Sequence, residues 1–202
     1  MLLSLMTTMT FAVATPPTYE EIKYAAIHHC HRRVWHDVDV QIVEDLIDIE
    51  SHFFKTHPIP VELRGMLLAA ACNESGYNPQ ARGDWTKRKG QRIPLAKGIV
   101  QLHSWWAQKY GVNRYDHFQS SRAWMEHIVH QRNKIDRKGW CKGHSNIKKW
   151  VVAWVQTTRG RSNKKNNYRC NQSPSHYKHL KRWHNAIDEE RNSESTHIEP
   201  GC

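Results

Sequence analysis

Apolar side chains recur along most of the chain at the spacing of three and four residues that is typical of amphipathic helices. In the segment 37–52 this spacing is followed by Val40, Val43, Leu46, Ile47 and Ile49. Comparable segments follow capping residues, which predict helices that begin near Thr18, Ser120 or Ser121, Ser145 and Ser173–Pro174. Because strand-like alternation is scarce, the pattern predicts one mostly α-helical domain over residues 15–192, with little or no β structure.

One segment is apolar on every side instead of on one face. From Met66 to Cys72 the chain has no charged residue, which is typical of a helix buried in a core. Gly76 supplies a C-terminal stop, so this helix is predicted to end close to Glu74. The following residues, 78–97, show no helical period and are predicted to form a long loop at the active site.

The position of Glu74 makes it the principal candidate for chemistry. The C-terminal end of a helix carries partial negative charge, and apolar surroundings disfavour an ionised carboxylate. Both effects favour the protonated carboxyl group, which is the form that a general acid needs near neutral pH. The alternative is a solvated residue at a helix end.

The residues that follow Glu74 resemble a known enzyme family. The chain carries ESGYNPQA at residues 74–81 and GIVQL at residues 98–102. These two motifs, in this order, resemble the soluble-lytic-transglycosylase type of lysozyme-like domain. The resemblance is clear from about Val61 to Gly111 and extends to about Thr158. It implies a lysozyme-like fold and an enzyme that cleaves the glycan strands of peptidoglycan.

This resemblance also implies a reaction and roles for particular residues. Glu74 would protonate the bond between N-acetylmuramic acid and N-acetylglucosamine. It would then take the proton of the 6-hydroxyl group, whose attack leaves a 1,6-anhydro end without the use of water. Ser75 would polarise the site near the acetamido group, Gln101 would hydrogen-bond the sugar, and Gly98 would let the backbone approach it. No cofactor or metal ion is expected.

Several of these residues have a simpler alternative role. Ser75 can bond a nearby backbone carbonyl group, and Gln101 can be an ordinary surface amide. Tyr77 can stack on sugar or pack in the core, and packing is the commoner role of a buried aromatic ring. Among the nine tryptophans, most of which are expected in the core, Trp154 is the best candidate for an aromatic wall of the cleft.

The chain departs from the family at a third motif. Where Ala-Tyr-Asn-x-Gly is expected, residues 153–158 read AWVQTT, so that Trp154 or Gln156 would take the place of the tyrosine or asparagine. This departure leaves open a hydrolytic muramidase similar to goose lysozyme, in which Asp84 or another acid holds the attacking water. A non-catalytic module that binds cell wall or nucleic acid is the remaining alternative.

The charge of the chain bears on its partner. It carries 30 Lys and Arg against 19 Asp and Glu, a net charge of +11, which favours a polyanionic partner. Peptidoglycan glycan strands are the predicted partner, with cell-envelope machinery as a further one, and nucleic acid is not expected. The protein is expected to be a monomer.

Both ends of the chain suggest segments outside the domain. Residues 1–14 lack charged side chains and end in Ala12-Val13-Ala14, the small-x-small pattern of a signal-peptidase site. They predict a cleaved export signal, because the stretch is shorter than the roughly 20 residues that span a bilayer. Stable membrane insertion is therefore not expected; an ordinary apolar helix is the alternative. Residues 193–202 are predicted to form a flexible tail.

An exported chain resides in the periplasm or outside the cell, where disulfides form. The preferred pairs are Cys141 with Cys170, which bracket one helix-loop unit, and Cys30 with Cys72, which would join the N-terminal helix to the helix that bears Glu74. Cys202 would remain unpaired. The alternative is five reduced thiols in a cytoplasmic protein.

Overall fold

The computed structural model describes residues 15–30, 38–157, 170 and 173–196. The predicted export signal and Cys202 lie outside the described residues. The helices are α1 (Tyr19–His28), α2 (Val40–Thr56), α3 (Met66–Ser75), α4 (Ser104–Tyr110), α5 (His117–Arg137), α6 (Asn146–Val155) and α7 (Ser175–Thr196). A short 3-10 turn, Val61–Leu63, precedes α3. The strands are β1 (Arg82–Arg88), β2 (Gln91–Lys97) and β3 (Leu102–His103), so the fold is mostly α-helical, as predicted.

Two helix starts follow the predicted capping chemistry. Thr18 forms a reciprocal capping box with Glu21 at the start of α1. Ser145 caps α6 by accepting a hydrogen bond from the backbone N–H of Lys148. The predicted start of α5 is wrong, because Asp116 is its N-cap and the two serines at 120 and 121 are buried inside the helix.

The last helix is longer than predicted. α7 begins at Ser175, just after the predicted Ser173–Pro174 cap, and continues to Thr196. It therefore passes its predicted end near Glu190 and enters the segment predicted to be a flexible tail. No helix among the described residues combines the length and the apolar character that crossing a membrane requires.

Helix α3 lies at the centre of the fold. Every residue from Met66 to Cys72 is buried, as the charge-free run predicts. The helix packs against α1, α2 and α7. Helix α5 packs against both α2 and α6. This environment holds the backbone of α3, and with it the position of Glu74, by close packing on all sides.

The two predicted disulfides are both present. Cys30–Cys72 joins the end of α1 to α3, with Cα atoms 5.6 Å apart, and Cys141–Cys170 links the residues that follow α5 to the segment before α7. In the chain-entropy model, closing a loop of 42 residues stabilises the fold by about 4 kcal/mol. Cys72 lies in the same helix as Glu74, so this bond also restrains the C-terminal half of α3.

The predicted loop over residues 78–97 is wrong, because most of it forms a β-hairpin. Strands β1 and β2 pair antiparallel up to Arg88 opposite Gln91, and β3 adds a short third strand. The turn is Lys89-Gly90, with φ values of 49° and 79°, the left-handed pair that a type I′ turn requires. Both strands are largely exposed, and so they lack the alternation that marks a half-buried strand.

Candidate active site

The end of α3 determines where Glu74 lies. Gly76 adopts the left-handed conformation with φ 62°, and its N–H bonds the carbonyl oxygen of Cys72 at 3.0 Å. The bond from Gly76 to Cys72 is the single bond of an αL-type stop, and the N–H of Tyr77 lies 3.5 Å from the carbonyl oxygen of Ala71. Glu74 thus occupies the last turn of a helix whose first seven residues are buried. The predicted helix end at Gly76 is confirmed.

Glu74 has a partner that the motif does not indicate. Its Oε1 atom lies 2.5 Å from Nε2 of His176, in the first turn of α7. The Glu74 side chain is 30 % exposed, whereas that of His176 is 2 % exposed. The carboxyl group is therefore neither sealed in the core nor free in solvent. It lies between the core and the solvent, and one of its oxygen atoms contacts a buried imidazole ring.

Trp154 supports this pair from inside the core. Its ring stacks on the His176 ring, with centroids 6.0 Å apart and planes inclined by 26°. It also meets the rings of Trp124 and Tyr177 edge-on. Because Trp154 is fully buried, its predicted role as a sugar-contacting wall of the cleft is corrected. It instead packs behind His176 and fixes the plane of the imidazole.

Tyr77 is a second residue whose predicted contact with sugar is corrected. Its side chain is buried, and its hydroxyl group donates a hydrogen bond to the carbonyl oxygen of Leu68 at 3.1 Å. The simpler alternative for Tyr77, packing after the helix, therefore describes the structure. Ser75 follows its simpler alternative too, because its Oγ donates to the carbonyl oxygen of Ala71 at 3.0 Å.

Gly98 and Gln101 join the base of the hairpin to the body of the protein. Gly98 has φ 83°, and a Cβ atom there would lie 1.7 Å from the carbonyl oxygen of Arg114. Glycine is thus required by the close approach of the chain's own backbone. The approach of sugar to Gly98 stays a prediction. Gln101 donates from Nε2 to the carbonyl oxygen of Gly98 at 2.8 Å and abuts Gly83. Its half-buried side chain therefore ties the two ends of the hairpin together.

Two further predicted residues, Gln156 and Asp84, have contacts with other parts of the chain. Gln156 follows the end of α6, where its N–H bonds the carbonyl oxygen of Ala153 at 3.1 Å, and its side chain is half-buried. Asp84, the acid of the hydrolytic alternative, is in hydrogen-bond contact with Nε2 of His103 at 2.9 Å. Its side chain is 66 % exposed. The described partner of Asp84 is therefore His103 and not the Glu74 pair.

A second glutamate, which the sequence analysis did not select, holds the other end of α3. Glu50 is completely buried, and its Oε1 accepts hydrogen bonds from the backbone N–H groups of Gly65 at 2.8 Å and Met66 at 3.0 Å. Burial raises the pKa of this carboxyl group to about 8, against the lowering effect of the two N–H groups. A signal for this residue does exist in the sequence, since Glu50 falls on the same helical face as Val43, Leu46 and Phe53.

The surroundings of the motif also contain a cavity. It has a volume of about 260 Å³ and is lined by Asp39, Ile42, Tyr77, Asn78 and Pro79. Glu74 is not among these lining residues, so this cavity is not assigned to its chemistry. Across the described residues, no three His, Cys, Asp or Glu side chains lie close enough together to hold a metal ion.

Comparisons of the chain with protein-family models, with curated proteins and with solved structures gave no match. The candidate site offers a carboxyl group on a rigid helix end, partly open to solvent, and a buried imidazole in hydrogen-bond contact with it. Such a pair can deliver a proton to a substrate atom and take one back.

Proposed function

We propose that this protein is a peptidoglycan lytic transglycosylase in which Glu74 acts first as the general acid and then as the general base. One observation carries the proposal: the partly exposed carboxyl group of Glu74 ends a buried helix and is held by His176. A group that must release and recover a proton at a defined point needs rigid support and access to the substrate. Glu74 has both properties.

The proposed reaction needs one carboxyl group and no water. The proton of Glu74 passes to the glycosidic oxygen, the bond from that oxygen to the anomeric carbon breaks, and the acetamido oxygen closes on the anomeric carbon. The Glu74 carboxylate then removes the proton of the 6-hydroxyl group, whose oxygen attacks the same carbon and expels the acetamido oxygen. The products are a free sugar hydroxyl and an anhydro end, and Glu74 regains its proton.

The charge distribution supports a polyanionic substrate. The hairpin that follows the motif carries one acidic residue, Asp84, which is paired with His103. Its basic residues are Arg82, Lys87, Arg88, Lys89, Arg92 and Lys97. Peptidoglycan carries carboxylate groups on its stem peptides, and a basic surface raises its local concentration. Contact with other envelope proteins remains a prediction.

The two disulfides support export to an oxidising compartment, either the periplasm or the extracellular space. Peptidoglycan is accessible from both. Reduced cysteines in the protein isolated from its native source would contradict this location.

The test is a digest of purified peptidoglycan, analysed by mass spectrometry of the released muropeptides. The proposal predicts anhydro ends from the wild type and no release by Glu74→Gln. Products heavier by one water would identify the hydrolytic alternative. Unchanged peptidoglycan with both proteins, while binding persists, would identify a non-catalytic wall-binding module.

A further inference from the structure

The surroundings of His176 are not explained by the proposed role of Glu74. Its side chain is almost completely buried, its Nε2 lies 2.5 Å from Oε1 of Glu74, and its Nδ1 is buried with no hydrogen-bond partner among the described residues. The ring stacks on Trp154 with the planes inclined by 26°. Within the described part of the chain, its hydrogen-bond contact is with the candidate acid.

These surroundings determine where the ring can carry a proton. An N–H at Nδ1 would be a buried donor with no acceptor among the described residues, and such donors are rarer in proteins than unsatisfied acceptors. An N–H at Nε2, in contrast, has an acceptor in Oε1 of Glu74. The geometry therefore favours a ring that carries a proton on Nε2 and none on Nδ1.

We infer that His176 is a positioning residue that donates its Nε2–H to Oε1 of Glu74. An Oε1 atom that accepts this hydrogen bond acts as the carbonyl oxygen of the protonated carboxyl group. The acid proton is thereby assigned to Oε2, the oxygen left for the substrate. The same bond then stabilises the carboxylate after the proton has left. This inference rests on the proposed function and adds the residue that selects which oxygen of Glu74 does the chemistry.

The first test compares two substitutions of different chemistry. His176→Gln places an amide N–H near the position of Nε2 but cannot titrate, whereas His176→Leu fills similar space without a donor. We expect His176→Gln to keep kcat within about tenfold of the wild type. We expect His176→Leu to lower kcat by about 100-fold or more with little change in KM, because the carboxyl group loses its orientation. Wild-type kcat in His176→Leu would overturn the inference.

The second test reads the proton directly and does not need activity. Nitrogen NMR of the wild-type protein, labelled in the histidine ring, distinguishes protonated from bare ring nitrogens. The expected signature for His176 is a proton on Nε2 and a bare Nδ1 at the pH of the assay. A proton on Nδ1, in either the other tautomer or the imidazolium, would overturn the inference even if a leucine substitution fails to fold.

The proposed function and the inference about His176 can fail separately. A wild type that releases no muropeptides removes the proposed function, and the NMR result then describes only a structural hydrogen bond. An active wild type with a His176→Gln variant as inactive as His176→Leu keeps the proposed function. It would show that His176 takes up the proton instead of orienting Glu74, which contradicts the inference alone.

Discussion

Two glutamates lie at opposite ends of α3, and their surroundings differ. Glu50 sits at the N-terminal end, completely buried, and accepts hydrogen bonds from the backbone N–H groups of Gly65 and Met66. Glu74 sits at the C-terminal end, with its side chain 30 % exposed, and contacts the side chain of His176. The carboxyl group of Glu50 is held by two backbone N–H groups, whereas that of Glu74 contacts one side chain and is partly exposed to solvent.

Under the proposed function, this contrast separates an acid with a structural role, Glu50, from an acid with a catalytic role, Glu74. Glu50 supplies acceptors to N–H groups that the first turn of a helix leaves unpaired, and no substrate can reach it. Glu74 lies at the helix end whose dipole disfavours a carboxylate. Its partial exposure leaves room for a ligand to replace the surrounding solvent. Both residues are glutamates near the ends of one apolar helix, so local residue type does not distinguish them, whereas exposure and partners do.

The largest expected effect is on catalysis and separates the two ends of α3. Glu74→Gln keeps the shape and an acceptor for His176 but cannot donate a proton, and it should lower the rate of glycan cleavage by about 1,000-fold or more. Glu50→Gln, the matched control, should retain activity within about threefold. Rates of muropeptide release measure both. Equal losses in the two variants would contradict the separation.

The next effect is on stability, where substitution of Glu50 should have the larger effect and substitution of Glu74 the smaller one. Glu50→Ala leaves two buried N–H groups without acceptors and should lower the free energy of unfolding by about 3 kcal/mol. Glu74→Gln should change it by less than about 1 kcal/mol, because its exposed side chain keeps an oxygen for His176. Urea unfolding at constant pH gives both values. A Glu74→Gln variant as unstable as Glu50→Ala would show that Glu74 is structural.

The pH dependence of stability should also distinguish Glu50. Its folded pKa of about 8 lies above the ordinary value of 4.5 for a glutamate, so the folded state binds more protons than the unfolded state between these values. Its contribution is complete below about pH 4.5 and is lost as pH rises toward about 8. The loss should amount to a few kcal/mol. In Glu50→Gln this slope should disappear, and a slope identical to that of the wild type would refute the assignment.

The smallest expected effect concerns the neighbour of Glu74. Ser75→Ala removes the hydrogen bond to the carbonyl oxygen of Ala71, which is already part of the helix, so stability should fall by less than about 1 kcal/mol. Activity should stay within about threefold of the wild type. A loss of kcat greater than tenfold, measured in the same muropeptide assay, would restore the role near the acetamido group that the resemblance implies.

Much of α3 could be predicted from the sequence because its signals are local. The charge-free run from Met66 to Cys72 and the stop at Gly76 each require only a few neighbouring residues. The pairing of Cys30 with Cys72 could also be predicted once export was assumed. The burial of Glu50 could also be predicted, because this carboxylate falls on the apolar face of α2. Its hydrogen bonds to the start of α3 could not, because they depend on how the two helices pack.

The features that were missed depend on contacts across the chain or on conflicting local signals. His176 lies 102 residues from Glu74, and no pattern in its own helix marks it as a partner. The hairpin carries lysine and arginine at exposed positions in both strands, which hides the alternation of a strand. The resemblance assigned Gly98 to the approach of sugar, and Tyr77 was left open between sugar and the core. The burial of Tyr77 and the backbone contact of Gly98 are set by distant parts of the chain.

The most direct test of the central claim is to let the wild-type protein cleave peptidoglycan in water enriched in heavy oxygen. If Glu74 directs attack by the sugar's own hydroxyl group, the new muramic acid ends will be anhydro and will contain no heavy oxygen. If water is the attacking group, each new end will gain one heavy oxygen atom, and the account of a water-free reaction at Glu74 will be contradicted.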